Sequence, residues 1–275
     1  MKRAMKCTPW AAEYFKEKRQ LSVHSCYKHV VNLCAKERIL ALHLESSAMT
    51  PLSLGVPLRE ESFARLSLAA KERKHVEIEE TRLWLGEVLW DLGELKVWNP
   101  VMTERLKLWE AELLVEELKN FLLENGKTRG GLSDAAFQRE SQPEDTWLTA
   151  LLREQVRQIE EGSLEEMEAL TAAASSMVGQ GMGLTPSGDD FLTGMLLAFS
   201  AWKGFPKEKW ALFSDMLCQR QKETNDISRQ YLMSAVRREF GEKYHRLMAA
   251  VPTGGASENS FGILWKQVTA PGLIP

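Results

Sequence analysis

A chain of 275 residues with 44% apolar residues is long enough to bury a core in one large domain or two ordinary ones. A net charge of -3 and the absence of long lysine and arginine runs argue against nucleic acid as a partner, and no apolar stretch is long enough for a membrane span or export signal. The four cysteines form no CxxC pair, which favours reduced thiols in a cytoplasmic protein.

The first hundred residues predict a β-rich unit. Residues 1–20 are expected to form an N-terminal arm or short helix, because charges alternate with aromatic side chains at helical spacing in 10–20. Over 21–100, short alternating runs separated by turn residues predict a compact antiparallel barrel or sandwich. The runs are 39–44, 52–56, 75–79, 82–85 and 94–98. Residues 77–90 also fit a helix.

From residue 101 to the end the pattern is helical. Thr103 can cap a helix over 104–124, a capping box at 163–166 precedes an alanine-rich helix to 177, and 191–202 is apolar enough to be buried on all sides. Further helices are predicted at 145–160, 207–221, 227–240, 242–251 and 257–268. Glycine-rich connections lie at 127–131, the best candidate for a mobile loop, and at 252–256. The prediction is an α+β protein, with the β-rich unit packed on a C-terminal helical unit.

Segment 179–190, Gly-Gln-Gly-Met-Gly-Leu-Thr-Pro-Ser-Gly-Asp-Asp, is not explained by core packing. Its first three glycines can adopt positive φ and leave backbone amides unshielded. Thr185 or Ser187 can cap the helix that follows, and if Ser187 is the cap, Asp190 at N3 can return the hydrogen bond. Because a helix amino terminus carries partial positive charge and unpaired donors, we expect the segment to bind phosphate or carboxylate.

Other site types fit the sequence less well. Residues 183–188 have GxxxxG spacing, but Asp189 and Asp190 stand where a phosphate loop has lysine and a hydroxyl residue, and the GxGxxG fingerprint also fails. No HxH or HExxH arrangement suggests zinc, and no Gly-x-Ser-x-Gly elbow is present. The remaining alternative is that the segment is only a structural helix N-terminus, in which Asp189 and Asp190 interact with the dipole of their own helix and bind no ligand.

The run Gly-x-Gly-x-Gly-Leu-Thr-Pro-Ser-Gly-Asp-Asp-Phe-Leu-x-Gly at 179–194 resembles the signature of the AllH-type family, whose members include a subunit of bacterial oxamate carbamoyltransferase. Residues 23–25 with 31–33 resemble the N-terminal segment of that family, and 224–228 its later Thr/Ser motif. The C-terminus departs: the family pattern is close to Gly-His-x-Ser-Gly-x-Asp, whereas 254–260 read Gly-Gly-Ala-Ser-Glu-Asn-Ser. If that segment touches substrate, the specificity differs.

The resemblance implies carbamoyl transfer between carbamoyl phosphate and oxamate, giving oxalurate and phosphate, as a step of purine catabolism and allantoin degradation. It also implies an assembly of unlike subunits. A noncatalytic metabolite-binding or scaffold subunit is the alternative, and an ATP-dependent ligase-like activity is weakened by the missing lysine. The implied substrate-binding residues are Gly179, Gly181, Gly183, Leu184, Thr185, Ser187, Gly188, His24, Ser25, Asn32, Thr224 and Ser228, with Asp189 and Asp190 as catalytic residues.

The two acids have three open roles. One can act as a general base toward the amide nitrogen that is carbamoylated, both can hold magnesium, or they can fix the loop. Our hypothesis places Asp189 in the site and Asp190 as the helix cap, with no cofactor required by the sequence. The ligand site is expected where the loop meets the β-rich unit. Core packing explains Trp84, Trp90, Trp98 and Trp109 most simply; a sugar groove or a docking surface for partner subunits on a tryptophan-rich β face is the alternative.

Overall fold

The computed structural model describes residues 4–73, 75–85, 88–103, 105–125, 150–151, 153–155, 157–158, 167–181 and 183–249. The chain forms two compact units. The described part of the first unit runs to Val101 and includes Phe240–Arg246, and the described part of the second unit comprises residues from Met102 to Glu239 and those from Leu247 onward.

The first unit contains a nine-stranded sheet that curls into a half-barrel. The strands are β1 (Ala4–Cys7), β2 (Arg19–Cys26), β3 (Val30–Ala35), β4 (Arg38–Leu44), β5 (Ser53–Val56), β6 (His75–Glu79), β7 (Arg82–Leu85), β8 (Val88–Asp91) and β9 (Glu94–Val97). Their order is β8-β7-β6-β2-β3-β4-β5-β1-β9. With the helices of the second unit, this confirms the predicted α+β class.

The sheet is not wholly antiparallel, which corrects the prediction. β4 pairs with β5 and β1 with β9 in parallel, whereas the other neighbours are antiparallel. Alternation along one strand reports which faces are buried but carries no information about the direction of its neighbour, so the sequence pattern could not distinguish the two arrangements.

Two helices accompany the sheet: α1 (Pro9–Tyr14), within the predicted arm, and α2 (Glu60–Arg73), where only strands were predicted. The residues of α2 carried a helical signal. Glu60 and Glu61 lie in its first turn, where they complement the helix dipole, and its buried Phe63, Leu66 and Ala70 recur at three- and four-residue spacing. These apolar side chains belong to the same buried cluster as the inward residues of the strands.

The described helices with assigned bounds in the second unit, together with the helix that follows Gly241, are α3 (Leu108–Asn125), α4 (Met167–Ser175), α5 (Ser187–Ala201), α6 (Lys207–Arg220), α7 (Asp226–Val236) and α8 (Glu242–Ala249). α3 begins later than the expected residue 104. Leu106 instead forms a bridge to Trp202, with its amide 2.7 Å from the Ala201 carbonyl, and the Glu110 carboxylate accepts the Lys107 amide at 2.7 Å. Thr103 therefore does not cap α3.

α5 is not buried on every side as predicted. Leu192 and Leu196 are fully buried, but the residues one and two turns after the exposed Asp190, Gly194 and Ala198, are exposed as well. A Cβ added at Gly194 would meet nothing within 4 Å. Small apolar residues raise the mean hydropathy of a segment without requiring burial, so composition overstated how deeply this helix lies.

Several predicted features lie outside the described residues: the capping box at 163–166, the connections 127–131 and 252–256, the helix 257–268, the departing segment 254–260 and most of 145–160. The described positions within 150–158 are helical. None of the helices, as far as they are described, combines the length and apolarity needed to cross a membrane.

Candidate functional site

The glycines of segment 179–190 adopt the left-handed conformations that the sequence suggested. Gly179, Gly181 and Gly183 have φ values of 73°, 125° and 100°. A Cβ at Gly179 would come within 3.0 Å of the Glu223 carbonyl oxygen, and one at Gly181 within 3.0 Å of the Ser187 nitrogen. At Gly183 an added Cβ would meet nothing within 4 Å. The first two glycines thus permit close backbone approach, whereas Gly183 is exposed and borders open space.

The start of α5 corrects the predicted capping. The cap is Pro186, which makes no side-chain capping bond, and Ser187 is the first helical residue. The Pro186 carbonyl accepts the amides of Asp189 at 2.9 Å and Asp190 at 3.1 Å. Neither Thr185 nor Ser187 caps the helix, and Asp190 does not either, because proline already fixes the extended backbone that a cap requires.

Some backbone amides of the loop donate hydrogen bonds within the protein, and others have no acceptor among the described residues. Gly188 donates to the Gln180 carbonyl at 2.8 Å, so its amide is not available to a ligand, contrary to the expectation for a substrate-binding residue. The amides of Gly183, Leu184 and Thr185 donate to no other described residue. Their backbone donors therefore lie just before a helix amino terminus, where an anion is favoured.

Asp189 is the most buried polar group of the loop, with 1% of its surface exposed. Its Oδ1 accepts the Gly179 amide at 2.8 Å. Its Oδ2 accepts two hydroxyls, those of Thr224 and Ser228, each at 2.5 Å. The carboxylate therefore joins the glycine segment, the first turn of α5 and the start of α7, as charge-assisted hydrogen bonds allow.

The start of α7 explains why both hydroxyls are available to Asp189. Asn225, not Thr224, caps this helix, and its side chain accepts the Ser228 amide at 3.0 Å. This role of Asn225 was not predicted from the sequence. The Asn-x-x-Ser spacing just before an amphipathic run was the signal that could have revealed it.

Asp190 has a different environment from its neighbour. Although the residue as a whole is exposed, nearby protein atoms remove part of the water from its carboxyl group, and this desolvation raises the pKa to about 6. A hydrogen bond with the Thr185 side chain acts in the opposite direction, and the negative charge of Asp189 adds to the increase. Asp190 can therefore exchange a proton near neutral pH.

We predict that Asp190→Asn raises the melting temperature at pH 7.5 and has progressively less effect as the pH falls toward 4. Because the pKa of Asp190 is raised in the folded protein from 3.8 to about 6, the folded state binds the proton more tightly than the unfolded state. The wild-type penalty is absent below the unfolded pKa and fully present above about pH 6. Scanning calorimetry of both proteins from pH 4 to 8 measures the difference, and a melting-temperature difference independent of pH would contradict the assignment.

The predicted N-terminal residues come together in the first unit. His24 Nδ1 lies 3.0 Å from the Ser25 hydroxyl oxygen, and the Asn32 amide nitrogen donates to the same oxygen at 3.0 Å. His24 and Ser25 lie within β2, and Asn32 lies within β3. The register between β2 and β3 shifts between Val23 and Ser25, so His24 is the extra residue of a β-bulge. Such a bulge changes the direction in which a side chain points.

The side chains around the loop do not fit a magnesium ion. The oxygens of Asp189 already accept three hydrogen bonds, which leaves Asp190 as the neighbouring carboxylate with an open coordination position. Within the described ranges no group of three or more histidine, cysteine, aspartate or glutamate side chains is arranged to hold a metal. The arrangement therefore does not fit a magnesium ion shared by the two acids, one of the roles considered from the sequence.

The structure does not support the alternative of an exposed tryptophan-rich β face. Trp84, Trp90 and Trp98 are each half-buried, and Trp84 lies under the Lys18 ammonium, whose nitrogen is 5.1 Å from the ring centroid. Trp109, with 46% of its surface exposed, belongs to α3 rather than to a strand. These rings therefore do not form a continuous β surface for a partner or a sugar.

One unit contains a curled sheet. In the other, a buried aspartate makes hydrogen bonds that hold a glycine-rich loop at the start of a helix. These features define an α+β protein with a candidate small-molecule site. Residues 3–97 match the AllH family N-terminal domain, and residues 177–264 match the family described as oxamate carbamoyltransferase subunit AllH. The two matches cover most of the chain, which therefore belongs to the AllH family. No solved structure matches it. The description is that of an enzyme subunit, which implies other protein chains as partners.

Proposed function

We propose that this chain is a subunit of an oxamate carbamoyltransferase-like enzyme and binds a small anionic metabolite at residues 179–190. The reaction is carbamoyl transfer between carbamoyl phosphate and oxamate, with oxalurate and phosphate as products. The family description supports the reaction class, and the loop supports the binding of anions. All four of these metabolites are anions, which fits a site built from main-chain donors.

The main support for the proposal is the set of hydrogen bonds that the buried Asp189 accepts from Gly179, Thr224 and Ser228, which we call the Asp189 clamp. Asp189 holds Gly179 and the start of α7, so the loop keeps its shape without a ligand. The amides of Gly183, Leu184 and Thr185 then provide donors that need no rearrangement when an anion binds. Preorganised donors of this kind stabilise developing charge better than water does, because their orientation is fixed by folding.

The clamp divides the predicted site residues into two groups. Asp189, Thr224 and Ser228 are positioning residues, because their polar atoms bind one another. Gly179, Gly181 and Gly188 shape the loop through close backbone contacts. We assign the ligand contacts to Gly183, Leu184, Thr185 and Ser187.

Asp190 is the proposed proton acceptor. In the transfer, the oxamate nitrogen attacks the carbamoyl carbon, a C–N bond forms, and the bond from that carbon to the phosphate oxygen breaks. The nitrogen loses one proton to Asp190, and phosphate leaves with the electron pair of the broken bond. A carboxyl pKa of about 6 suits a base that must be ionised near neutral pH and still accept a proton.

His24, Ser25 and Asn32 form the second polar group that we assign to substrate binding. The bulge at His24 and the shared Ser25 hydroxyl support this assignment. Asn32 is buried, so its contact with Ser25 fixes the hydroxyl position, and we assign the ligand contact to the exposed His24 ring.

A noncatalytic subunit is the second candidate function. It is favoured by the description of the family as a subunit, since a partner chain could supply the reacting groups while this chain binds metabolite or organises the assembly. In that case the loop would bind an anion, but Asp190 would have no effect on turnover.

Oxalurate phosphorolysis by the assembled enzyme tests these alternatives. We expect Gly183→Val to abolish anion binding and turnover, and Asp190→Asn to lower kcat while phosphate binding persists. Gly194→Ala, in the same helix but facing open space, is the matched control and should retain both. Turnover unchanged by Asp190→Asn would favour the noncatalytic role, and phosphate binding unchanged by Gly183→Val would overturn the loop proposal.

A further inference from the structure

Two arginine side chains lie at the end of α5 opposite to the glycine-rich loop. The Arg105 guanidinium donates from Nη1 to the hydroxyl of the buried Ser200 at 3.2 Å. The Arg238 guanidinium carbon lies 4.2 Å from the centroid of the Trp210 ring. A stacked guanidinium keeps its N–H groups in the plane of the group, so the ring contact leaves the donors of Arg238 available.

The backbone holds Arg238 in an unusual conformation. Its φ is 62°, a left-handed value that costs energy for a residue with a Cβ. The conformation is fixed by two main-chain bonds: the Arg238 amide donates to Ala235, and the Arg238 carbonyl accepts the Met102 amide, both at 2.8 Å. The second bond brings Met102, three residues before Arg105, to Arg238. The Arg238 amide bond and the bond from the Glu239 amide to the Ser234 carbonyl, at 2.9 Å, together close the carboxyl-terminal turn of α7, where a left-handed residue is common.

These two arginines lack the partners that other arginines of the second unit have. Arg220, Arg229 and Arg237 each pair with a nearby carboxylate, whereas neither Arg105 nor Arg238 contacts one within the described part of the chain. Partial burial, and then the positive charge of Arg105, lower the pKa of Arg238 below its ordinary value. The pair is thus two like charges close enough to repel each other.

Helix dipoles account for part of this arrangement. Arg105 lies near the carboxyl end of α5 and Arg238 just after the end of α7, where a positive charge is favoured. That effect explains a single charge at each helix end. It does not explain why, among the described residues, neither guanidinium contacts a carboxylate although the charge of Arg105 acts on Arg238.

We propose that Arg105 and Arg238 form a second anion site, which takes a small carboxylate or phosphate between the two guanidiniums. Each guanidinium offers parallel N–H donors that match the oxygens of such groups, and an anion would remove the repulsion between them. The site is distinct from the loop. Ser200 lies thirteen positions after Ser187 in α5, which is about 20 Å along the helix axis.

Titration calorimetry with inorganic phosphate tests the site in the full chain. In a Gly183→Val background, which disables the proposed loop site, we expect Arg105→Gln and Arg238→Gln each to weaken phosphate binding at least about tenfold. Arg229→Gln removes the same charge from an arginine that has a carboxylate partner, and should change the affinity by less than about twofold. Equal effects of all three substitutions would overturn the proposal.

Two further readouts keep the result interpretable. Arg238→Lys keeps the charge but loses the planar stack, and should bind phosphate with intermediate affinity if the geometry matters. In the wild-type loop background, each arginine variant should lose one of two phosphate sites while the other remains. Loss of all binding by Gly183→Val alone would refute the arginine site, whereas binding that depends only on the arginines would refute the loop site.

Discussion

Replacing Asp189 with asparagine is expected to destabilise the second unit by about 3 kcal/mol. The carboxylate is buried and accepts one amide and two hydroxyl hydrogen bonds. Asparagine has nearly the same shape, but it is neutral, so the charge-assisted bonds from the two hydroxyls are lost, and both hydroxyls would have to turn and accept from the amide nitrogen instead. Urea unfolding followed by tryptophan fluorescence, which includes the signals of Trp202 and Trp210 in this unit, measures the change.

A double-mutant cycle separates the clamp from the general effect of a substitution. Ser228→Ala alone should cost about 1 kcal/mol, since one donor is removed and the carboxylate keeps two others. In the Asp189→Asn background the same substitution should cost much less, because its partner has already changed. Additive costs would show that Asp189 and Ser228 stabilise the unit independently, against the clamp.

The glycine-rich loop was predictable from sequence because its information is local. Three glycines at alternate positions predict positive φ, and the structure has that backbone at all three. The following helix was also predictable, since the fifteen residues after Pro186 contain no proline and are mostly apolar. Its capping was not predictable in the same way, because Thr185, Pro186 and Ser187 are all acceptable at a helix start.

The role of Asp189 depends on contacts that the sequence does not encode locally. Its hydroxyl partners lie 35 and 39 residues later, and only the packing of α7 against α5 brings them together. The sequence signal, two adjacent acids in the first turn, is the same whether an acid serves its own dipole, a ligand or a neighbouring helix. Burial distinguishes the two adjacent acids, because Asp189 is buried while Asp190 is exposed.

The sheet shows the same limit at the level of topology. Alternating runs located β4 to β7 and β9, and all of these are strands. Their order, the parallel pairs and the participation of β1 arise from contacts between distant segments, such as Lys6 with Gly55 and Lys6 with Lys96. A pattern within one strand cannot specify its neighbours. α2, in contrast, carried a helical signal and was missed because the surrounding strands suggested a uniform β region.

Replacing Gly188 with alanine is expected to destabilise the second unit by about 3 kcal/mol, although alanine is normally the better helix former. A Cβ at this position would come within 3.0 Å of the Met177 carbonyl oxygen, a backbone atom that cannot move aside as a flexible side chain would. The Gly188 amide also bonds to the Gln180 carbonyl at 2.8 Å, so any displacement weakens that bond. Thermal and urea unfolding measure the loss.

Two other glycine-to-alanine substitutions are the matched controls for Gly188→Ala. Gly194→Ala lies in the same helix and faces open space, so it should stabilise the protein by about 0.5–1 kcal/mol. Gly183→Ala also meets nothing within 4 Å but has a φ of 100°, so it should cost about 1–2 kcal/mol through backbone strain alone. The expected order of stability is Gly194→Ala, wild type, Gly183→Ala, Gly188→Ala. If Gly188→Ala proved as stable as wild type, α5 would not approach the turn after α4 as closely as the structure has it, and the shape of the proposed anion site would have to be abandoned.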